Sequence, residues 1–197
     1  MEGWIMASSE SNHQKSVHTR QMVASAMMSA IICVTTLIAI PAGATSGYVH
    51  FGDCFIILGA AMIGPAYGCI AAIIGSCLAD FILGYVVYIP ATFVIKGIMA
   101  LVSSGLFAAA RVEVFPHPGR NHPKAFWRRV ADIAYSGAAA ELVMIFGYYL
   151  YDWLLFGQVA ALADVPGNFL QCCFGIATAL IFGSIFEKIH LRQFLHR

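Results

Sequence analysis

Apolar residues fall in six blocks along this chain, at 22–40, 53–64, 68–84, 91–110, 131–156 and 167–186, each bounded by glycine, proline or a polar cluster. Stretches near twenty apolar residues match the ~30 Å hydrocarbon core of a bilayer, because a helix rises about 1.5 Å per residue. The pattern predicts an all-α membrane protein, a bundle of six transmembrane helices. The second and third blocks are the exception. They share the 32 residues from 53 to 84 with a Gly64-Pro65-Ala66-Tyr67-Gly68 turn, roughly 48 Å of helix, which is less than two full crossings. Two short spans are the reading adopted and a re-entrant hairpin the alternative; either returns the chain to the same side.

Charge sets the orientation. Ten of the eleven Lys and Arg residues lie in three segments: Lys15 and Arg20; Arg111, Arg120, Lys124, Arg128 and Arg129; and Lys188, Arg192 and Arg197. By the positive-inside rule all three face the cytoplasm. The division expected is a cytoplasmic tail at 1–20, a membrane domain at 21–187 with a basic cytoplasmic loop at 111–130, and a cytoplasmic tail at 188–197, in the plasma membrane of a bacterium. The basic loop reads as a topology anchor beside anionic headgroups rather than a nucleic-acid site. Composition agrees: the chain is 60% hydrophobic and 11% charged, with a mean hydropathy of +0.78, where soluble domains carry roughly 25% charged residues.

Enzyme chemistry has no foothold. No G-x-S-x-G, H-E-x-x-H, Walker A or dinucleotide-binding pattern occurs, and the six cysteines form no C-x-x-C pair. No metal or cofactor is expected, and any ATP-driven step needs another subunit.

The 90 residues from Gln21 to Ala110 hold only three formal charges, Asp53, Asp80 and Lys96. An ionisable group in hydrocarbon costs about 2.5–3.5 kcal/mol even on insertion scales, so such groups face a bundle interior or a watery cavity. In the deduced topology all three lie in the outer half. Glu141 sits about 15 Å into the fifth helix by helical rise, and Tyr148, Tyr149 and Asp152 reach its outer end. Asn168 and Gln171 fall in the first turns of the sixth. With Tyr48, His50, Tyr85, Tyr88 and Thr92 these groups form one outward-facing polar and aromatic layer, the usual composition of a small-molecule pocket. Asp80 and Lys96 are also candidates for a structural ion pair between adjacent helices. On the first helix, Ser25, Ala26, Ser29 and Ala30 place small residues four apart, a face that suits close helix packing within the chain or against a partner.

The run Gly47-Tyr48-Val49-His50-Phe51-Gly52-Asp53, the Gly64-to-Gly68 turn, Gly75 through Asp80, and Pro90-Ala91-Thr92-Phe93-Val94-Ile95-Lys96-Gly97 resemble the S-components of energy-coupling factor (ECF) vitamin transporters, in the riboflavin-type group. Glu141-Leu142-Val143-Met144, Gly147-Tyr148, Pro166, Asn168 and Gln171 extend the resemblance over most of the chain after residue 20. It implies a six-helix capture protein that binds a micronutrient from outside, docks on a membrane coupling subunit served by two ATPases, and topples in the bilayer to release its load. It also implies docking through Ala26 and Ala30, with Ser25 and Ser29 on the same small face. The substrate site would be formed by the first loop and the fourth to sixth helices.

Members of that group differ in substrate: riboflavin, vitamin B6 forms, hydroxymethylpyrimidine and other precursors. If Asp80 pairs with Lys96, the remaining Asp53 and Glu141 favour a neutral or cationic ligand with N–H or O–H donors, which points to a vitamin B6 form or hydroxymethylpyrimidine, with riboflavin next. Tyr48, His50, Asp53, Tyr88, Thr92, Lys96, Glu141, Tyr148, Asn168 and Gln171 are the expected ligand residues. The competing class is a non-transporting scaffold or assembly subunit whose buried charges only lock helices together.

Overall fold

The computed structural model describes the backbone of residues 2–41, 48–110 and 123–188. It is a bundle of six helices: α1 (Glu2–Leu37), α2 (Gly52–Ile63), α3 (Pro65–Leu83), α4 (Ile89–Ala110), α5 (Pro123–Phe156) and α6 (Gln158–Lys188). A two-residue antiparallel bridge, β1 (Ile40–Pro41) with β2 (Tyr48–Val49), lies between α1 and α2, and a 3-10 turn (Val86–Tyr88) leads into α4.

The breaks follow local chemistry. Gly64 takes a φ of 92°, closed to most side chains, and Pro65 then starts α3 where its missing N–H costs nothing. Gly84 ends α3 in the left-handed region at φ 84°, and the Tyr85 N–H returns to the Asp80 carbonyl at 2.8 Å. Gly157, at φ 86°, joins α5 to α6 without a loop.

Among the described residues five helices are long and apolar enough to cross a membrane, and α2 is the short sixth. Its twelve residues are buried almost all round, since it packs against each of the other five. A helix apolar on every face belongs in the middle of a bundle. The outer helices instead turn Phe81, Leu142, Phe146, Leu154 and Ile181 outward, the surface that lipid covers.

The short α2 has a geometric reason. Asp53, in its first turn, bonds to Lys96, the eighth residue of α4, so α2 begins about 10 Å below the outer end of α4. Its own length of roughly 18 Å then completes the crossing. The segment from 53 to 84 thus holds two separate helices, α2 of twelve residues and α3 of nineteen, meeting at Gly64-Pro65.

Three boundaries differ from expectation. The polar tail before residue 21 is continuous with α1, and α5 starts eight residues earlier than its apolar block. The sixth helix starts at Gln158 rather than after Pro166, which sits inside it. Asn168 and Gln171 therefore lie in its third and fourth turns, deeper than the first turns expected. The basic loop from 111 to 122 and the last nine residues fall outside the described residues.

Candidate functional site

The floor of the site is a closed network around Asp53, which is fully buried. The Lys96 ammonium donates to Asp53 Oδ1 at 2.5 Å and Gln171 Nε2 donates to Oδ2 at 2.8 Å. Gln171 also grips the loop: its Nε2 donates to the His50 carbonyl at 3.1 Å, and its Oε1 accepts the His50 N–H at 2.8 Å. Both donors and the carbonyl of this amide are thereby engaged. Gly52 N–H donates to His50 Nδ1 at 3.0 Å, which places the proton of the neutral ring on Nε2. Burial, the largest influence, pushes the His50 pKa down to about 4, with Asp53 acting against it and Lys96 with it. His50 is neutral at pH 7.

The wall is aromatic. Tyr88, at the end of the 3-10 turn, has Tyr85 and Tyr148 each 6.3 Å away between ring centroids, and its hydroxyl donates to Asp152 Oδ1 at 3.0 Å. Tyr148 OH and Thr92 Oγ1 are 2.9 Å apart, tying α5 to α4, and Lys96 lies 5.8 Å from the Tyr148 ring centre. Tyr151 OH donates to the Val87 carbonyl at 2.5 Å, pinning the 3-10 turn from behind.

Floor and wall border a partly open cavity lined by His50, Asp80, Tyr85, Tyr88, Thr92, Lys96, Met144, Tyr148, Asp152, Asp164, Asn168 and Gln171. Seven of the ten expected ligand residues are brought to it: His50, Tyr88, Thr92, Lys96, Tyr148, Asn168 and Gln171. Asp53 lies beneath, supporting Lys96. Glu141 is fully buried and lies outside the lining; neither of its oxygens has a hydrogen-bond partner. It faces α6 at Gly175, where a Cβ would collide with Oε1. The side chain of Tyr48 lies outside the described residues.

Two expectations change. A salt bridge joins Lys96 to Asp53, whereas the sequence offered Asp80 as the candidate partner of Lys96 and Asp53 as a ligand residue; the recessed start of α2 brings Asp53 to the lysine's depth. The small face of α1 also divides. Ser25 and Ser29 are buried against α3, with Ser25 Oγ donating to the Tyr67 carbonyl at 2.9 Å, and a Cβ on Gly75 would lie 2.5 Å from the Ser29 carbonyl oxygen. Ala26 and Ala30 alone are exposed. The docking face therefore loses Ser25 and Ser29, which pack within the chain.

Asp164 and Met144 were missed by sequence reasoning. The signal was present: 144, 148 and 152 on α5, 88, 92 and 96 around α4, and 164, 168 and 171 on α6 recur at helical spacing, which puts each set on one face. Among the described residues no cluster of His, Cys, Asp and Glu is arranged to hold a metal. The arrangement is one for binding, with hydrogen-bonding groups and aromatic faces.

Comparison with known proteins gives two results. The profile of a family described as "ECF-type riboflavin transporter, S component" matches residues 16–188. The chain is also 30% identical over 159 residues to a Pyrococcus woesei protein described as "Uncharacterized protein in gap 3'region", a match that covers 81% of this chain and 95% of the relative.

Proposed function

On the premise that this chain belongs to the ECF-type riboflavin transporter S-component family, we propose that it captures a small, flat heteroaromatic vitamin or cofactor precursor from outside the cell. It is a multi-pass cell-membrane protein of a family of substrate-binding subunits without enzymatic activity. In this reading the basic segments face the cytoplasm, and the cavity opens outward.

The observation that carries the reading is the tyrosine wall above a saturated polar floor. Tyr85, Tyr88 and Tyr148 offer faces for stacking. Thr92, Lys96 and Asn168 offer hydrogen-bonding groups, while Gln171 and Asp53 are engaged in holding the loop and the lysine. A pyridine of the vitamin B6 type or hydroxymethylpyrimidine matches this mix of one ring face and a few polar edges. Riboflavin is the second reading, supported by the family's own description.

Capture alone moves nothing uphill, because release inside requires a conformational change driven from elsewhere. The coupling subunit and its two ATPases supply that drive, docking on the side of α1 that shows Ala26 and Ala30. The test is reconstitution. The purified chain binds its ligand without ATP, and proteoliposomes accumulate the ligand only when the coupling subunit and ATPases are present. Concentrative uptake by this chain alone would refute the proposal.

A further inference from the structure

Charge is distributed unevenly around the cavity. Asp80, Asp152 and Asp164 line it, and Lys96 is the one cation among the described lining residues. That ammonium is already bonded to a fourth carboxylate, Asp53, at the floor. His50 adds no positive charge at neutral pH, being buried and neutral. Glu141, buried near the floor with both oxygens lacking a hydrogen-bond partner, adds none either. Asp152 is held in place by Tyr88, whose hydroxyl occupies one of its two oxygens.

An anion entering this space meets carboxylates from α3, α5 and α6, with no cation besides Lys96 among the described lining residues to receive it. Repulsion of this kind is an effective way to discriminate between two otherwise similar ligands. We propose that the cavity is charge-selective: it admits the neutral or cationic, unphosphorylated form of its heteroaromatic ligand and excludes the phosphorylated form. The inference rests on the capture reading above and deepens it. It makes Asp152 and Asp164 determinants of specificity, a role distinct from stacking or hydrogen bonding to the ring.

Two measurements test it. The first needs no ligand. Asn168→Cys, in a background without native cysteines, is reacted with methanethiosulfonates carrying either a trimethylammonium or a sulfonate group, each rate normalised to free cysteine in solution. The cationic reagent should be preferred at least tenfold, and Asp152→Asn with Asp164→Asn should reduce that preference at least threefold. Equal rates, or a preference for the sulfonate, would overturn the proposal.

The second uses the native chain and two pairs of probes, pyridoxal with pyridoxal 5′-phosphate and riboflavin with riboflavin 5′-phosphate. The unphosphorylated member of whichever pair binds should bind at least tenfold more tightly. Equal affinity within that pair would overturn charge selectivity while leaving capture intact. If none of the four binds and the reagent preference persists, charge selectivity stands and the assigned ligand class falls.

Discussion

Replacing Lys96 with Met removes one partner of an ion pair whose residues are 4% and 0% exposed. Asp53 would keep only the bond from Gln171 and would carry an uncompensated charge in the bundle interior. Breaking a buried pair from one side costs about 3–5 kcal/mol, and in a chain of this size each kcal/mol moves the melting midpoint by about 2–4 °C. The midpoint in detergent should fall by roughly 6–20 °C. Asp53→Asn combined with Lys96→Met removes both charges and leaves an amide that Gln171 can still reach. The double variant should recover about 2 kcal/mol or more, a coupling within the range of residues in direct contact. Thermal unfolding of wild type, both single variants and the double variant closes the cycle. The same cycle with Asp80→Asn in place of Asp53→Asn is the control. Additive effects in the Asp53 cycle, or stronger coupling in the Asp80 cycle, would refute the pairing.

Three further outcomes follow from the geometry. Ala26→Trp with Ala30→Trp should abolish association with the coupling subunit, measured by co-purification, and leave ligand affinity within about twofold, because both residues point away from the bundle; Ser25→Trp should instead destabilise the chain, being packed against α3. Gly175→Ala, whose Cβ would meet Glu141 Oε1, should cost about 1–3 kcal/mol, and Glu141→Ala in the same chain should relieve most of that loss in thermal unfolding. His50 has a folded pKa of about 4, below its usual 6.5, so the unfolded chain binds the proton first as pH falls; stability is full above pH 6.5, is lost between 6.5 and 4, and drops by about 2 kcal/mol at pH 5, a slope that His50→Asn should remove.

The bundle was legible because lipid imposes its own grammar: long apolar blocks, punctuation by Gly64-Pro65 and Gly84, and cations sorted to one side. Boundaries carried less signal. Pro166 looked like a helix start because proline suits a first turn, but packing of α6 along α5 continues the helix through it. That misplacement left Asp164 outside the expected sixth helix. The outer polar layer was readable from depth alone, and it delivered most of the cavity lining. Pairing was not, because it depends on where α2 begins. Twelve residues of α2 set to start at the level of Lys96 bring Asp53 to that lysine, and no count along the sequence reveals such an offset. Likewise the spacing of Ser25, Ala26, Ser29 and Ala30 shows small residues, but only the position of α3 decides that the serines pack inward.

The central claim is that this cavity holds a small heteroaromatic molecule, and it is tested most directly by mass spectrometry of compounds released on denaturing the purified protein. Wild type should release one heteroaromatic species at near-stoichiometric amounts. Thr92→Trp, which places an indole in the cavity from a position now 1% exposed, should release none while remaining monodisperse. Equal retention by the variant would put the ligand elsewhere, and a wild-type protein that neither retains nor rebinds any heteroaromatic compound would contradict the account.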